Sequence, residues 1–353
     1  MARFVAPGRV NLMGDHTDYH DGFVLPFAIP LACTVSVAPG AGRTVRARSA
    51  QFPGVVAVAA DGSDDPRTLE PAWGRFVAGA VRALTERGIA VADADLEISS
   101  TVPPGSGLSS SSALSVALVL ALADLAGASF DRIEIAQLAL AAEVGATGVP
   151  GGLMDQLASL FGRAGHALLI DCRATTIAPV PIAPGVAVIV VHCGVPRALA
   201  ESAYATRRAE SDAAARRIGV DSLRDATRER AAADPRARHV VSENARVQAT
   251  AAALATGDLS VLGPLLLASH ASLRDDYEVS TPELDLLVEL VVECGAAGAR
   301  LTGAGFGGCI VALAQRNHAD DIVAKTAIRY RAATGIEPFA FVAPAVDGAH
   351  RDH

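Results

Sequence analysis

The chain has 353 residues, 51% of them hydrophobic, and this length and composition predict a large interior divided between two lobes. Its formal charge of −8 argues against a nucleic-acid-binding surface, and no apolar run reaches the roughly 18 residues that a membrane span requires. The five cysteines are odd in number and widely spaced, which disfavours a disulfide framework or a zinc site and favours a reducing, cytoplasmic location.

The first sixty residues predict mainly β-structure. Turn signals such as Asp21-Gly22, Pro39-Gly40 and Pro53-Gly54 separate most of the strand-like runs. The predicted strands are residues 4–12, 22–29, 33–37, 44–50, 55–59 and 96–100. Between the last two lies an amphipathic helix, predicted over residues 73–87, with Trp73 and Phe76 on its apolar side.

A loop rich in glycine and serine, residues 102–113, joins the strand at 96–100 to an apolar helix predicted over 108–126. Gly105 and Gly107 let the backbone adopt positive φ and approach a ligand closely. The serines that follow lie where unpaired N–H groups and the helix dipole attract anions. The loop therefore predicts phosphate binding, with a flexible loop carrying serine caps as the equally weighted alternative.

Two better-known phosphate-binding motifs are excluded. A P-loop needs a lysine beside its last glycine, and the only lysine of the chain is Lys325. A Rossmann fingerprint needs a third glycine where this chain has Ser110, and an acidic residue about 20 positions later at the end of a strand. Helix-like sequence follows instead, so the loop belongs to another class.

The rest of the chain predicts an α+β fold in which helices pack on one face of mixed sheets, because strands cluster early and long helices come later. The boundary between an N-terminal domain, 1–180, and a C-terminal domain, 181–353, is placed in the proline-rich segment 178–185. The predicted helices are 131–144, 153–161, a long helical region from Arg197 to about Cys294, and 320–332. The predicted strands are 167–171, 186–192, 309–313 and 338–342. A glycine loop at 303–308 precedes one of these strands, and the tail after Val346 is predicted to be loose.

Several polar residues are candidates for chemistry. Asp15, His16 and Asp18 lie within four positions after a glycine, which fits a solvated turn, a metal site or the hydroxyl groups of a sugar. Asp155 lies near a helix start, where a carboxylate is either a partner of the helix dipole or a catalytic group. Glu143, taken alone, is interpreted as a surface residue of a helix.

Taken together, these motifs resemble those of the galactokinases, within the GHMP superfamily of small-molecule kinases that also holds homoserine, mevalonate and phosphomevalonate kinases. Residues 6–12, 14–19 and 22–26 are similar to the galactokinase signature, 104–113 to the phosphate loop and 301–309 to the third motif of the superfamily. Residues 154–156, 166–173 and 269–280 are similar to stretches special to galactokinases. The resemblance implies a two-lobed fold with the active site between the lobes.

The resemblance also implies ATP, Mg²⁺ and a sugar as the small molecules of the site, with transfer of phosphate to the anomeric hydroxyl of galactose. It implies catalytic roles for Asp155 and Arg9, and magnesium binding by Ser111 and Glu143. The implied sugar contacts are Asp15, His16, Asp18, Gly152 and Tyr204. The implied ATP contacts are Trp73, Gly105, Ser106, Gly107, Leu108, Ser109, Ser110, Ser111 and Ser112. A monomer without nucleic-acid or membrane partners is expected.

One departure concerns the sugar. Galactokinases usually carry glutamate where this chain has Asp15, and that glutamate reaches the C6 hydroxyl. A lost buried hydrogen bond costs ~1–3 kcal/mol, so a sugar that differs at C6, such as arabinose or galacturonate, is an alternative substrate. A non-catalytic sugar and ATP sensor is a second alternative, which ADP release in a coupled assay would exclude.

Overall fold

The computed structural model describes residues 1–195 and 200–352. It confirms the α+β class: three β-sheets carry helices, and most neighbouring strands are antiparallel. The strands are β1 Ala2–Asn11, β2 Phe23–Val24, β3 Pro26–Pro39, β4 Thr44–Ser49, β5 Val55–Ala59, β6 Ala94–Ser100, β7 His166–Asp171, β8 Thr176–Pro181, β9 Val186–His192, β10 Gly298–Thr302, β11 Cys309–Gln315, β12 Phe339–Val342 and β13 His350–Asp352. The helices are α1 Arg75–Glu86, α2 Ser110–Leu125, α3 Arg132–Thr147, α4 Met154–Phe161, α5 Ala200–Ile218, α6 Arg228–Ala231, α7 Pro235–Thr256, α8 Leu259–Asp275, α9 Pro282–Glu293 and α10 Ala319–Thr334. Among these described helices, none combines the length and apolarity that crossing a bilayer needs.

The largest sheet has six strands in the order β13-β1-β3-β6-β4-β5, with β4 and β6 parallel. Helices α1 to α4 and this sheet enclose one continuous hydrophobic core. The pairing of β1 with β3 shifts register between Pro7 and Arg9. Such an irregularity re-aims side chains, and Arg9, which follows it, lines the central cavity.

A second sheet has the order β10-β11-β9-β12, and its strands β9, β10 and β11 are buried on both faces. Along β9, Ile189 and Val191 belong to a core shared with α9 and α10, whereas Val188 and Val190 belong to a core shared with β1 and β3. A strand covered on both sides reads as a continuous apolar run, which is why residues 186–192 were predictable. A third sheet, β2-β7-β8, completes the fold.

The structure corrects three of the local predictions. Residues 22–29 and 33–37 do not form two strands, because β2 is only two residues long and Pro26–Pro39 is one continuous strand. The proline-rich segment begins inside β8, and the tail is not loose, because β13 pairs with β1. The predicted helix start at Arg197 lies outside the described residues, and the division of the chain at residue 180 stays a prediction.

Candidate active site

A cavity of about 400 Å³ lies among the loop before α2, the starts of α2 and α4, helix α3 and the turn after β1. It gathers residues that are more than a hundred positions apart in sequence. The predicted catalytic, sugar and magnesium residues that line it are Arg9, Asp15, His16, Asp18, Ser111, Glu143, Gly152, Asp155 and Tyr204. Of the predicted ATP contacts, those that line it are Gly105, Gly107, Ser109, Ser110, Ser111 and Ser112.

The glycine and serine loop has the backbone that its sequence predicts. Gly105 and Gly107 have φ of +68° and +81°, in the left-handed region that favours glycine. The loop lies directly against β1: the N–H of Arg9 donates to the carbonyl of Leu108 at 3.1 Å, and a Cβ on Gly8 would lie 2.5 Å from that oxygen. The lack of a side chain at Gly8 therefore lets the loop approach the strand.

Arg9 and Asp155 form the central ion pair of the cavity. The Nε and Nη2 atoms of Arg9 donate to the two oxygens of Asp155 at 2.7 and 2.8 Å, and its Nη1 donates to the carbonyl of Gly107 at 2.7 Å. Only 6% of the Arg9 side chain is exposed, against 24% for Asp155. This bidentate pairing fixes the carboxylate beside the loop, in the first turn of α4, where the helix dipole stabilises an acidic side chain.

The polar turn after β1 lines another part of the cavity. His16 has φ of +65°, which is uncommon for a residue other than glycine, and its Nδ1 contacts the hydroxyl of Tyr19 at 2.8 Å. Burial lowers the pKa of His16 to about 3, so its imidazole is neutral near pH 7. Its Nε2 is buried and has no hydrogen-bond partner among the described residues, which suits a ligand hydroxyl.

Asp18 and Gly152 are in close contact across the cavity. A Cβ on Gly152 would lie 2.0 Å from Oδ2 of Asp18, so only glycine leaves room for this carboxylate. Burial and the neighbouring charge of Asp155 raise the pKa of Asp18 to about 6. Asp18 and Asp155 therefore line the same cavity as two interacting acidic groups, and shifted pKa values of this kind are typical of functional sites.

Glu143, a half-buried residue of α3, lines the same cavity, so it is more than an exposed residue of a helix surface. Its two carboxylate oxygens accept hydrogen bonds from Ser111 at 2.5 Å, Ser112 at 2.8 Å and Nε2 of Gln156 at 2.7 Å. Burial raises its pKa. A carboxylate and a hydroxyl at this separation offer the hard oxygen ligands that Mg²⁺ prefers, so the pair fits the ion. The described residues contain no group of three or more His, Cys, Asp or Glu that could hold a metal, so most ligands of such an ion would be phosphate oxygens and water.

The remaining predicted ATP contacts do not line the cavity. Leu108 and Ser106 are buried, and Ser106 donates to the carbonyl of Pro103 at 2.7 Å. Trp73 is half-buried, and its indole N–H points to the carbonyl of Pro53 at 3.4 Å. Phe76, three residues later, does line the cavity.

Two buried residues that sequence reasoning missed support Asp15. Arg300, fully buried in β10, donates to Oδ2 of Asp15, and the N–H of Gly303 donates to Oδ1 at 3.0 Å. Glu243, fully buried in α7, lies 3.8 Å from Arg300 and accepts from the N–H of Gly14 at 2.9 Å. Although burial opposes it, Arg246 and Arg300 lower the pKa of Glu243 to about 2. A charged residue inside the apolar run of β10 was the available signal for Arg300.

Comparison with known proteins shows the family of this chain. The description "GHMP kinases N terminal domain" matches residues 75–163, "GHMP kinases C terminal" matches 250–332, and "Galactokinase galactose-binding signature" matches 2–39. A galactokinase of Roseiflexus sp. is 45% identical, over 98% of this chain and 92% of that protein. The chain belongs to the galactokinase family. As a galactokinase-family enzyme it is a kinase that transfers phosphate to a sugar hydroxyl, which confirms the family predicted from the motifs.

Solved structures support the same assignment. A galactokinase of Lactococcus lactis, solved in complex with galactose, is 34% identical and superposes with a TM-score of 0.93, over 99% of this chain and 94% of that one. A mevalonate kinase of Methanococcus jannaschii superposes with a TM-score of 0.73 at 17% identity, over 98% of both chains. The second likeness shows the shared fold alone, which is the two-lobed fold of the superfamily.

Proposed function

We propose that this galactokinase-family enzyme transfers the γ-phosphoryl group of ATP to the anomeric hydroxyl of galactose. The products are galactose 1-phosphate and ADP. In this reaction Asp155 orients and deprotonates the hydroxyl. The observation that carries the proposal is the position of the Arg9–Asp155 pair. The pair is hydrogen-bonded to Gly107 and Ser109 of the loop, and it lines the same cavity as the polar turn that contains Asp15, His16 and Asp18.

The sugar would occupy the polar end of the cavity. Asp15, Asp18 and the unpartnered nitrogen of His16 supply acceptors or donors for several hydroxyl groups, and Tyr204 lies beside His16 with ring centroids 5.8 Å apart. These polar side chains are already held in place by their own hydrogen bonds. They can therefore bind sugar hydroxyl groups with little further loss of side-chain entropy.

ATP would occupy the other end. The loop glycines and the start of α2 offer backbone N–H groups for the phosphates. The apolar residues Phe76, Leu140, Val144 and Val149 line the cavity beyond the serines and form a surface for the base. Ser111 and Glu143 would hold Mg²⁺, which, when bound, neutralises the negative charge of the phosphates.

The reaction would depend on positioning. Holding the hydroxyl in line with the phosphate can supply ~7–11 kcal/mol of the barrier. Phosphoryl transfer passes through a loose transition state, which needs little early deprotonation. Asp155 would therefore accept the proton late, while Arg9 keeps the carboxylate in place and adds positive charge near the transferring group.

A substrate panel tests the proposed reaction. Purified protein should release ADP and form a sugar 1-phosphate with galactose, detected by ³¹P NMR, with lower kcat/KM for arabinose and galacturonate. Galacturonate should be the poorest of the three, because its carboxylate would face Asp15 and Asp18. A preference for galacturonate, mevalonate or homoserine over galactose would overturn the assignment, and absence of ADP release would favour a sensor.

The monomeric state and the cytoplasmic location stay part of the proposal. Among the described residues none of the five cysteines forms a disulfide, which supports a reducing compartment.

A further inference from the structure

The four consecutive serines of the loop do not share one task. Ser111 and Ser112 donate to Glu143, as described above. Ser109 donates instead to Oδ2 of Asp155, at 2.5 Å. Ser109 is therefore bonded to the proposed catalytic carboxylate, whereas Ser111 and Ser112 are bonded to the proposed magnesium ligand.

Ser109 also departs from what its position would lead one to expect. It is the N-cap residue of α2, where a serine normally accepts a hydrogen bond from the N–H groups of the first turn. Here its side chain makes no cap hydrogen bond. Its backbone has φ of 60° and ψ of 46°, the left-handed conformation that glycine adopts more readily than serine. The chain keeps a hydroxyl at a position where glycine would be less strained.

The hydroxyl of Ser109 fills one of the hydrogen-bond acceptor positions of Asp155. A carboxylate offers about four acceptor positions. Arg9 takes one on each oxygen, through Nε on Oδ1 and Nη2 on Oδ2. Ser109 takes the second position on Oδ2, so Oδ1 is the oxygen that still has room for another donor.

We propose that Ser109 is a positioning residue: its hydroxyl holds Oδ2 of Asp155, so that Oδ1 alone receives the proton of the reacting sugar hydroxyl. This inference rests on the proposed function of Asp155 and adds the orientation of its carboxylate. It also separates Ser109 from the predicted ATP contacts, because its side chain acts on the sugar side of the cavity. The N–H groups at the start of α2, which Ser109 does not cap, remain available to phosphate oxygens.

Two substitutions separate the hydroxyl from the backbone conformation. Ser109→Gly removes the hydroxyl and relieves the left-handed strain, whereas Ser109→Ala removes the hydroxyl and keeps the strain. Because both lose the hydrogen bond to Asp155, both should lower kcat by about 10- to 100-fold, with KM for galactose and ATP within about threefold of the parent. Ser109→Gly should melt no lower than Ser109→Ala. Thr175, in the turn between β7 and β8, also has positive φ, so Thr175→Gly measures the same strain relief far from the cavity and should keep parental kcat.

The outcomes distinguish the alternatives. Parental kcat in Ser109→Gly would overturn the inference, because it would show that only the backbone conformation matters. A loss confined to KM for ATP would also overturn it, since the hydroxyl would then serve the phosphates. Asp155→Asn is measured in parallel: if that variant is inactive while Ser109→Gly is normal, the role of Ser109 fails alone, and if Asp155→Asn turns over normally, the proposed function itself fails.

Discussion

At the residue scale, the titration of single side chains in this cavity makes stability and activity depend on pH. Burial and the charge of Asp155 raise the pKa of Asp18 to about 6 from an ordinary value of 3.8. Between about pH 4 and 6 the folded protein therefore binds more protons than the unfolded chain, so the contribution of Asp18 to the free energy of unfolding decreases as the pH rises through this window.

The raised pKa of Asp18 should affect catalytic activity in the opposite direction to stability, because activity should rise with pH. Below pH 6 Asp18 becomes protonated and loses an acceptor for a sugar hydroxyl, so kcat/KM for galactose at saturating MgATP should fall with an apparent pKa near 6. Asp18→Asn should be weaker at pH 8 and should lack this acid limb. A limb that is unchanged in Asp18→Asn would assign the titration to another group.

Gly152 gives a second test at the residue scale. Since a Cβ here would lie 2.0 Å from Oδ2 of Asp18, Gly152→Ala should displace that carboxylate and raise KM for galactose by about tenfold, corresponding to about 1.4 kcal/mol. Gly151→Ala is the matched control, because the added Cβ would meet only Leu140 at 3.5 Å. Steady-state kinetics give KM for galactose in the two variants, and equal KM values would contradict the proposed packing of Gly152 against Asp18.

At the scale of elements, a buried charge cluster joins β10, α7 and the turn after β1. Arg300→Met would leave Asp15 and Glu243 buried without their shared guanidinium, so unfolding in urea should show a loss of about 3–5 kcal/mol. The exposed pair of Arg329 and Glu293 is the control, because Arg329→Met should cost less than about 1 kcal/mol. Similar losses in both variants would mean that the cluster adds no special stability.

What sequence could predict at this scale depends on local pattern. The boundaries of α2, α4 and β9 follow from glycine punctuation and apolar runs, and the structure reproduces them within about two residues. The single strand β3 was not predictable, because Pro30 interrupts the strand-like run and is tolerated where the strand is exposed. The burial of Glu143 and Arg300 depends on contacts between distant elements, which no local spacing encodes.

At the scale of the whole molecule, the C-terminal tail holds the first lobe together. The N–H of Ala349 donates to the carbonyl of Ser159 at 2.7 Å, that of Gly348 donates to Gly162 at 2.8 Å, and β13 pairs with the start of β1. Nothing in the composition of the tail predicted this docking, because a three-residue edge strand with three polar residues has no apolar periodicity.

Deleting residues 347–353 tests that role. The lost backbone hydrogen bonds should lower the free energy of unfolding by on the order of 3 kcal/mol. The kcat at low temperature should stay within about threefold, because the tail does not line the cavity. Asp352→Ala, which removes only an exposed ion pair with Arg3, is the control and should be nearly neutral. An unchanged melting temperature after the deletion would contradict a structural role.

At the scale of the whole molecule, the sequence motifs predicted many of the residues that line the cavity. The motifs around Arg9, Asp15 and Asp155 identified residues that line one cavity, although 146 positions separate Arg9 from Asp155. The resemblance implied Trp73 as an ATP contact, whereas Phe76 is the one of the two that lines the cavity, because side-chain direction depends on how this region packs and not on local spacing.

The most direct test of the account is the turnover of Asp155→Asn, an isosteric change that removes the carboxylate charge held by Arg9. We expect ATP affinity, measured by calorimetry, to stay within about threefold, while kcat with galactose falls by about 10²- to 10⁴-fold. Near-normal turnover in this variant would contradict the claim that Asp155 orients and deprotonates the sugar hydroxyl.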